Sequence, residues 1–251
     1  MSELARKLEQ LQLTSVCREL DQILAGAASK NLSHAETVEW LADVELEGRR
    51  TRSIERRFRM SRLQAKIGIE SFDFNHHKTR TQLKNKILRL LDLDFITQGT
   101  NVVIIGNPGT GKTFLAKIIG WRACQANCRM LFTTAMNMLN QLVASQVDHS
   151  LVRRLKTYTA PALLVCDELG YLSLDQQISN LFYQVISTRH AERRSTVITT
   201  NSPFSEWGNV LFNTTIATAI ADRLVENSQV FLLGGPSIRK PRKEQSAAEE
   251  E

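Results

Sequence analysis

Eight consecutive residues, Gly106-Asn107-Pro108-Gly109-Thr110-Gly111-Lys112-Thr113, match the pattern G-x-x-x-x-G-K-[ST] in full. The chemistry of this pattern is the cradling of a polyphosphate. Its glycines let the backbone curl until several N–H groups point inward at one anion. A helix starting at the loop adds the positive end of its dipole. Lys112 is placed to reach the β- and γ-phosphates, and the Thr113 hydroxyl to take a position on Mg²⁺. The expected ligands are therefore ATP and Mg²⁺. A glycine-rich turn that binds nothing is the competing reading, and the flanking sequence disfavours it.

Further along, Leu163-Leu164-Val165-Cys166 is an apolar run that ends in Asp167-Glu168. Two acids after a strand are weak evidence alone, but strong beside a complete P-loop. Asp167 is expected to hold Mg²⁺, and Glu168 to polarise the attacking water as a general base. A third polar group, Asn201, closes the stretch Thr196-Val197-Ile198-Thr199-Thr200. It is expected between the two acid- and phosphate-bearing strands, oriented toward the lytic water or the γ-phosphate. Arg223, in Ala221-Asp222-Arg223-Leu224, is a candidate arginine finger that one subunit projects into the nucleotide of the next. Arg189 and Arg239 are weaker candidates for phosphate contact.

These residues need elements to hold them. Val102-Val103-Ile104-Ile105, Leu163 to Cys166 and Thr196 to Thr200 are short apolar or β-branched runs, as in strands buried on both faces. Met130-Leu131-Phe132-Thr133 is a fourth candidate, and helical segments alternate with all four. That alternation predicts an α/β fold, a parallel sheet covered by helices. Residues 1–67 read instead as all-helical. Gly26 is expected to end one helix, and Ser33 with Glu36 to form a capping box at the start of the next. Ser71-Phe72-Asp73-Phe74 reads as a hinge. The organisation expected is a helical domain over 1–67, the α/β domain over 68–238 and a charged disordered tail over 239–251.

The chain has 251 residues, 42% hydrophobic and 23% charged, and lacks an apolar run long enough to cross a bilayer. Its N-terminus does not have the layout of a signal peptide, so a cytoplasmic location is the expectation. Cys17, Cys124, Cys128 and Cys166 are read as reduced thiols. A formal net charge of +6 is modest, but its distribution is not. Arg49, Arg50, Arg52, Arg56, Arg57, Arg59, Arg62 and Lys66 crowd one stretch, with Glu55 the acid among them. Arg49, Arg52, Arg56 and Arg59 fall at helical spacing, so one face could present several guanidiniums to phosphates. Arg153, Arg154 and Lys156 form a second basic group. Only Phe58 interleaves the first, which favours duplex backbone contact over stacking on single strands. No helix-turn-helix signature stands out, so sequence-specific recognition is not expected.

The ordered set GNPGTGKT, LLVCDELGYL, ITTN and ADRL resembles the DnaC/IstB branch of the AAA+ ATPases, over about residues 30–240. The closer resemblance is to the IstB-like helper ATPases, which accompany a transposase in bacterial insertion sequences. The run Asp167-Glu168-Leu169-Gly170-Tyr171-Leu172, the segments Asn180-Leu181-Phe182 and Val185-Ile186-Ser187, and Phe72-Asp73-Phe74 are similar to that family's. The resemblance implies an N-terminal DNA-binding domain before an AAA+ domain. It implies ATP-dependent self-assembly on double-stranded DNA and recruitment of a cognate transposase. It makes Asn201 the sensor 1 residue and Arg223 the finger, and puts the helix bearing Arg153, Arg154 and Lys156 on the DNA path. The usual sensor 2 arginine is not visible; Ser237-Ile238-Arg239 is a weak substitute. The alternative implied is a helicase loader like DnaC, engaging a replicative helicase and single-stranded DNA.

Overall fold

The computed structural model describes residues 3–170 and 175–238. The tail over 239–251, Arg239 within it, and the Tyr171-Leu172 part of the family motif lie outside those residues. The chain divides into two units, Met1–Arg56 and Arg57–Glu251.

The first unit holds α1 (Glu3–Gln10), α2 (Thr14–Ser29) and most of α3 (His34–Ser61). Val16, Leu20, Ile23 and Ala27 of α2 supply its buried apolar side chains. The capping box forms as expected: the Ser33 amide donates to Glu36 Oε2 at 2.7 Å, and the Glu36 amide to Ser33 Oγ at 3.3 Å. Gly26 does not end α2, which runs on to Ser29. Its small size serves packing instead, since a Cβ there would stand 2.7 Å from the Trp40 ring of α3. Gly48 does the same against Ser15. Between the two helices Glu45 is buried, accepting from the Ser15 amide at 2.9 Å, Arg49 Nε at 3.0 Å and Arg52 Nη2 at 2.8 Å.

The second unit is α/β. Its strands are β1 (Asn101–Gly106), β2 (Met130–Thr134), β3 (Leu163–Leu169), β4 (Ser195–Thr200) and β5 (Ser228–Leu233), all parallel, in the order β2-β3-β4-β1-β5. Helices α4 (Lys78–Leu90), α5 (Asp94–Thr97), α6 (Lys112–Gln125), α7 (Ala135–Val147), α8 (Leu151–Thr159), α9 (Gln176–Ala191), α10 (Trp207–Val210) and α11 (Thr214–Val225) complete it. Alternation along β3 builds two cores. Leu164 and Cys166 join one with Phe182 and Ile186 of α9, whereas Leu163 and Val165 join the other with Leu115 and Ile119 of α6. The four strands read from sequence are all present, and β5 is added to them.

The boundary between the units differs from the expected residue 67, because Phe58, Leu63 and Phe72 belong to the core beneath α6. The expected hinge is thus a packed segment. Phe72 is 4% exposed, with its ring centroid 5.0 Å from Phe74 and 6.4 Å from Phe114.

Candidate functional site

The P-loop joins β1 to α6, and its glycines answer to specific neighbours. Gly109 and Gly111 stand at φ +81° and +85°, in the left-handed region that glycine enters without cost. A Cβ on Gly109 would meet Ser237 Oγ at 2.0 Å, and one on Gly106 the Leu233 carbonyl at 2.2 Å. The turn is pinned by Thr110 Oγ1, which donates to the Asn107 carbonyl at 2.8 Å. The Lys112 ammonium donates to the Gly106 and Asn107 carbonyls at 2.7 and 2.9 Å. Pro108 is exposed at the tip of the loop.

The acids come from β3. Asp167 is 2% exposed, and its Oδ1 accepts from Thr113 Oγ1 at 3.0 Å and from Thr199 Oγ1. The next residue breaks the ladder. Cys166 pairs with Ile198 and Leu169 with Thr200, so β3 carries one residue more than β4 across this interval. Such a bulge re-aims a side chain. Glu168 takes it up at φ +60°, its amide donating to Thr199 Oγ1 at 2.9 Å. Asp167 consequently stays inside against the P-loop threonine, while Glu168 is exposed to the cavity.

That cavity, of about 390 Å³, is lined by Gly109, Gly111, Lys112 and Thr113 of the P-loop together with Glu168 and Thr199. Ile67, Phe72, Phe114 and Ile238 give it apolar wall, and Arg80 of α4 reaches it as well. The donor set suits a nucleotide with Mg²⁺. A threonine hydroxyl and a carboxylate stand within 3.0 Å of each other. No group of three or more His, Cys, Asp or Glu among the described residues forms a metal cage of its own. Mg²⁺ characteristically takes few protein oxygens and completes its shell with phosphates and water.

Asn201 and Arg223 stand outside the cavity, the latter as a finger meant for a neighbouring subunit's nucleotide would. Asn201 follows the end of β4, does not line the cavity, and its Oδ1 accepts from Ser202 Oγ at 3.5 Å. Thr199, two residues earlier, lines the cavity. Arg223 also stands apart: it donates to the Ala219 carbonyl at 2.7 Å, and its guanidinium lies 4.8 Å from the Tyr183 ring centroid. Sequence reasoning missed Thr199 and Arg80. Arg189 is no phosphate ligand. It is 1% exposed and donates to Thr196 Oγ1 and to the carbonyls of Tyr158, Thr159, Pro161, Ala162 and Ser195. Burial lowers its pKa to about 9, which leaves it charged at neutral pH. It ties the end of α8 to the start of β4.

The basic residues fall into two sorts. Arg49 and Arg52 are engaged by Glu45, Arg50 stands 4.0 Å from Glu47, and Arg57 Nε donates to Asn127 Oδ1. Arg56, Arg59, Arg153 and Lys156 are exposed, and Arg154 donates to Gln141 Oε1 at 3.3 Å. No described helix is long and apolar enough to cross a membrane.

Comparison with known proteins bears on the family and the fold. The family described as IstB-like ATP binding protein matches residues 6–246. The insertion sequence IS5376 ATP-binding protein of Geobacillus stearothermophilus is 34% identical, over 85% of this chain and 84% of its own length. The corresponding IS232 protein of Bacillus thuringiensis subsp. berliner is 32% identical over 94% of each chain. The IS21 protein of Pseudomonas aeruginosa is 31% identical over 97% of this chain and 91% of its own. Among solved structures, the DnaC helicase loader superposes with a TM-score of 0.59 at 19% identity, covering 66% of this chain and 96% of that one. AMPPCP-bound DnaA from Aquifex aeolicus gives 0.57 at 17%, covering 68% and 51%. At those identities the likeness is one of fold, the AAA+ fold. The family match and the three insertion-sequence relatives each span most of the chain, and this chain belongs to the IstB-like ATP-binding protein family.

Proposed function

We propose that this chain is the Mg²⁺-dependent helper ATPase of an insertion sequence, acting in the cytoplasm. With ATP bound it assembles on double-stranded DNA and recruits a transposase encoded by the same element. The observation that carries the ATPase part is Glu168, turned by the β3 bulge onto the cavity that also holds Lys112 and Thr113. A carboxylate facing a phosphate cradle is placed to orient and deprotonate an attacking water. A protein that only held ATP would have no use for it there.

In this reading the P-loop amides and Lys112 bind the phosphates, and Thr113 and Asp167 hold the metal. When bound, Mg²⁺ offsets charge on the β- and γ-phosphate oxygens. Thr199 orients both acids, Asn201 has at most a supporting part, and Arg223 serves a neighbouring subunit. The insertion-sequence relatives support the transposition reading over a helicase loader, for which the fold alone speaks. Arg56, Arg59, Arg153 and Lys156 are the foremost candidates for phosphate contact, with Arg49, Arg50, Arg52, Arg57 and Arg154 restrained by neighbours.

The test is sizing of the protein on short duplex DNA with ATP, with ADP and with Lys112→Ala. A large complex that forms with ATP and is lost in the variant is the expected result. Binding restricted to single strands, or dependent on a helicase, would overturn the transposition reading in favour of the loader.

A further inference from the structure

We propose that Arg80 is a positioning residue for the P-loop, one that fixes the direction of a phosphate-facing amide. Arg80 lies in the first turn of α4 and is 1% exposed. Its Nη2 donates to the Thr110 carbonyl at 2.6 Å and its Nη1 to the Asp73 carbonyl at 2.8 Å. The Phe72 ring centroid is 4.6 Å from its Cζ. Both hydrogen-bond partners are backbone carbonyls, and Nε is buried without a partner among the described residues. Burial lowers the pKa of this guanidinium, with the nearby Asp73 charge opposing that shift. A charge buried with its donors incompletely satisfied is a poor device for stability, because an apolar side chain of the same volume would serve better. Its place at the cavity wall offers another reason for it.

The bond to Thr110 bears directly on the next amide. In a planar trans peptide, the C=O and the following N–H point to opposite sides. With the Thr110 oxygen drawn to Arg80, the Gly111 N–H is turned away from Arg80. Gly111 is the N-cap of α6, where free amides and the helix dipole converge on an anion. The same contact constrains position 111 sterically, since a Cβ there would stand 2.6 Å from Arg80 Nη2. Arg80 thus holds the loop in its phosphate-receiving shape from outside the motif, through the second half of a peptide whose first half it grips. The fork geometry matters, because the guanidinium serves the two carbonyls from two nitrogens held in one rigid plane, whereas the single ammonium nitrogen of a lysine sits on a freely rotating stem.

This inference rests on the reading of the cavity as the nucleotide site, and the experiment separates the two. N-methylanthraniloyl-ATP is titrated into the full-length wild type, Lys112→Ala, Arg80→Lys and Arg80→Ala, alongside far-UV circular dichroism of each ligand-free protein. Arg80→Lys is expected to fold as the wild type and to bind about tenfold or more weakly, the loss of one charge-assisted hydrogen bond. Arg80→Ala is expected to weaken at least as far and to recover with millimolar methylguanidinium, which a lost packing role would not do. Affinity of Arg80→Lys within twofold of wild type, absence of recovery by Arg80→Ala, or failure of both variants to fold would overturn the proposal. Failure of the wild type to bind, or undiminished binding by Lys112→Ala, would overturn the nucleotide reading instead.

Discussion

At position 168 the backbone stands at φ +60°, a conformation that costs a glutamate roughly 1 kcal/mol. The fold accepts that cost where the side chain faces the P-loop lysine across one cavity, and strain of this kind gathers at working residues. Glu168→Gln keeps the shape and removes the base. It is expected to bind nucleotide as the wild type does and to hydrolyse it about 10²- to 10⁴-fold more slowly, read by phosphate release against fluorescent-nucleotide titration. Unchanged turnover would mean that another group activates the water. Thr199 is the companion case. Its one hydroxyl donates to Asp167 and accepts from the Glu168 amide, so Thr199→Val leaves a buried acid and a part-buried amide each short of a partner. Turnover is expected to fall roughly tenfold to a hundredfold, and by more than in Asn201→Ala. The reverse order in the same assay would restore Asn201 to the role first read for it. The sequence reading stopped one pleat late for a physical reason. Thr199 and Asn201 share a strand face by parity, but β4 ends at Thr200, so Asn201 has already left the sheet.

Among the elements, the contact between α2 and α3 turns on one carboxylate. Burial alone would raise the Glu45 pKa, but hydrogen bonds from Arg49, the Ser15 and Val16 amides and Arg52 outweigh it and hold the group below its usual range. A carboxyl lowered on folding stabilises fully above its unfolded value, about 4.3, and the contribution is lost as pH falls through the folded value. Acidification is therefore expected to loosen α2 against α3. Glu45→Gln should cost about 1–3 kcal/mol at neutral pH and remove that acid-dependent part. Hydrogen exchange of the Ser15–Ser29 amides in the full chain, referenced to β1, reads both effects, and equal protection in variant and wild type would refute the assignment. Glu45 also shows why the arginine stripe looked more one-sided than it is. The acid that holds Arg49 and Arg52 sits a turn before the run begins. The strands were legible to the extent that both their faces are buried: β1, β3 and β4 are near-continuous apolar or β-branched runs. β5 was not, because it begins Ser-Gln, is only half-buried over its first three residues and leaves Leu232 62% exposed, whereas the other edge strand, β2, opens on the buried pair Met130-Leu131. Arg80 carried no readable signal, since nothing local marks which arginine of an amphipathic helix turns inward.

For the whole molecule, the proposed assembly on DNA would turn on exposed charge and on a residue remote from its own cavity. If α8 faces the duplex, Arg153→Ala with Lys156→Ala should reduce the slope of log affinity against log salt by about 2, alike on all sequences. A slope equal to that of the wild type would remove α8 from the DNA path. Arg223 poses the sharper question. Within its own chain it stacks on Tyr183 and binds the Ala219 carbonyl, so service to a neighbouring nucleotide requires exchanging those contacts for phosphate oxygens. If Arg223 is the finger, Arg223→Ala has an intact cavity and no finger, whereas Lys112→Ala has a finger and a damaged cavity. Each alone is expected to be nearly inactive on DNA, the first by about 10³-fold or more, as the loss of a transition-state arginine predicts. Mixed before DNA and ATP are added, they should regain a fraction of wild-type hydrolysis. Only a subunit pair that places Arg223 of the second variant beside the cavity of the first can produce that gain. Turnover equal to the sum of the separate variants would confine Arg223 to its own subunit, and with it the coupling of hydrolysis to assembly would fall.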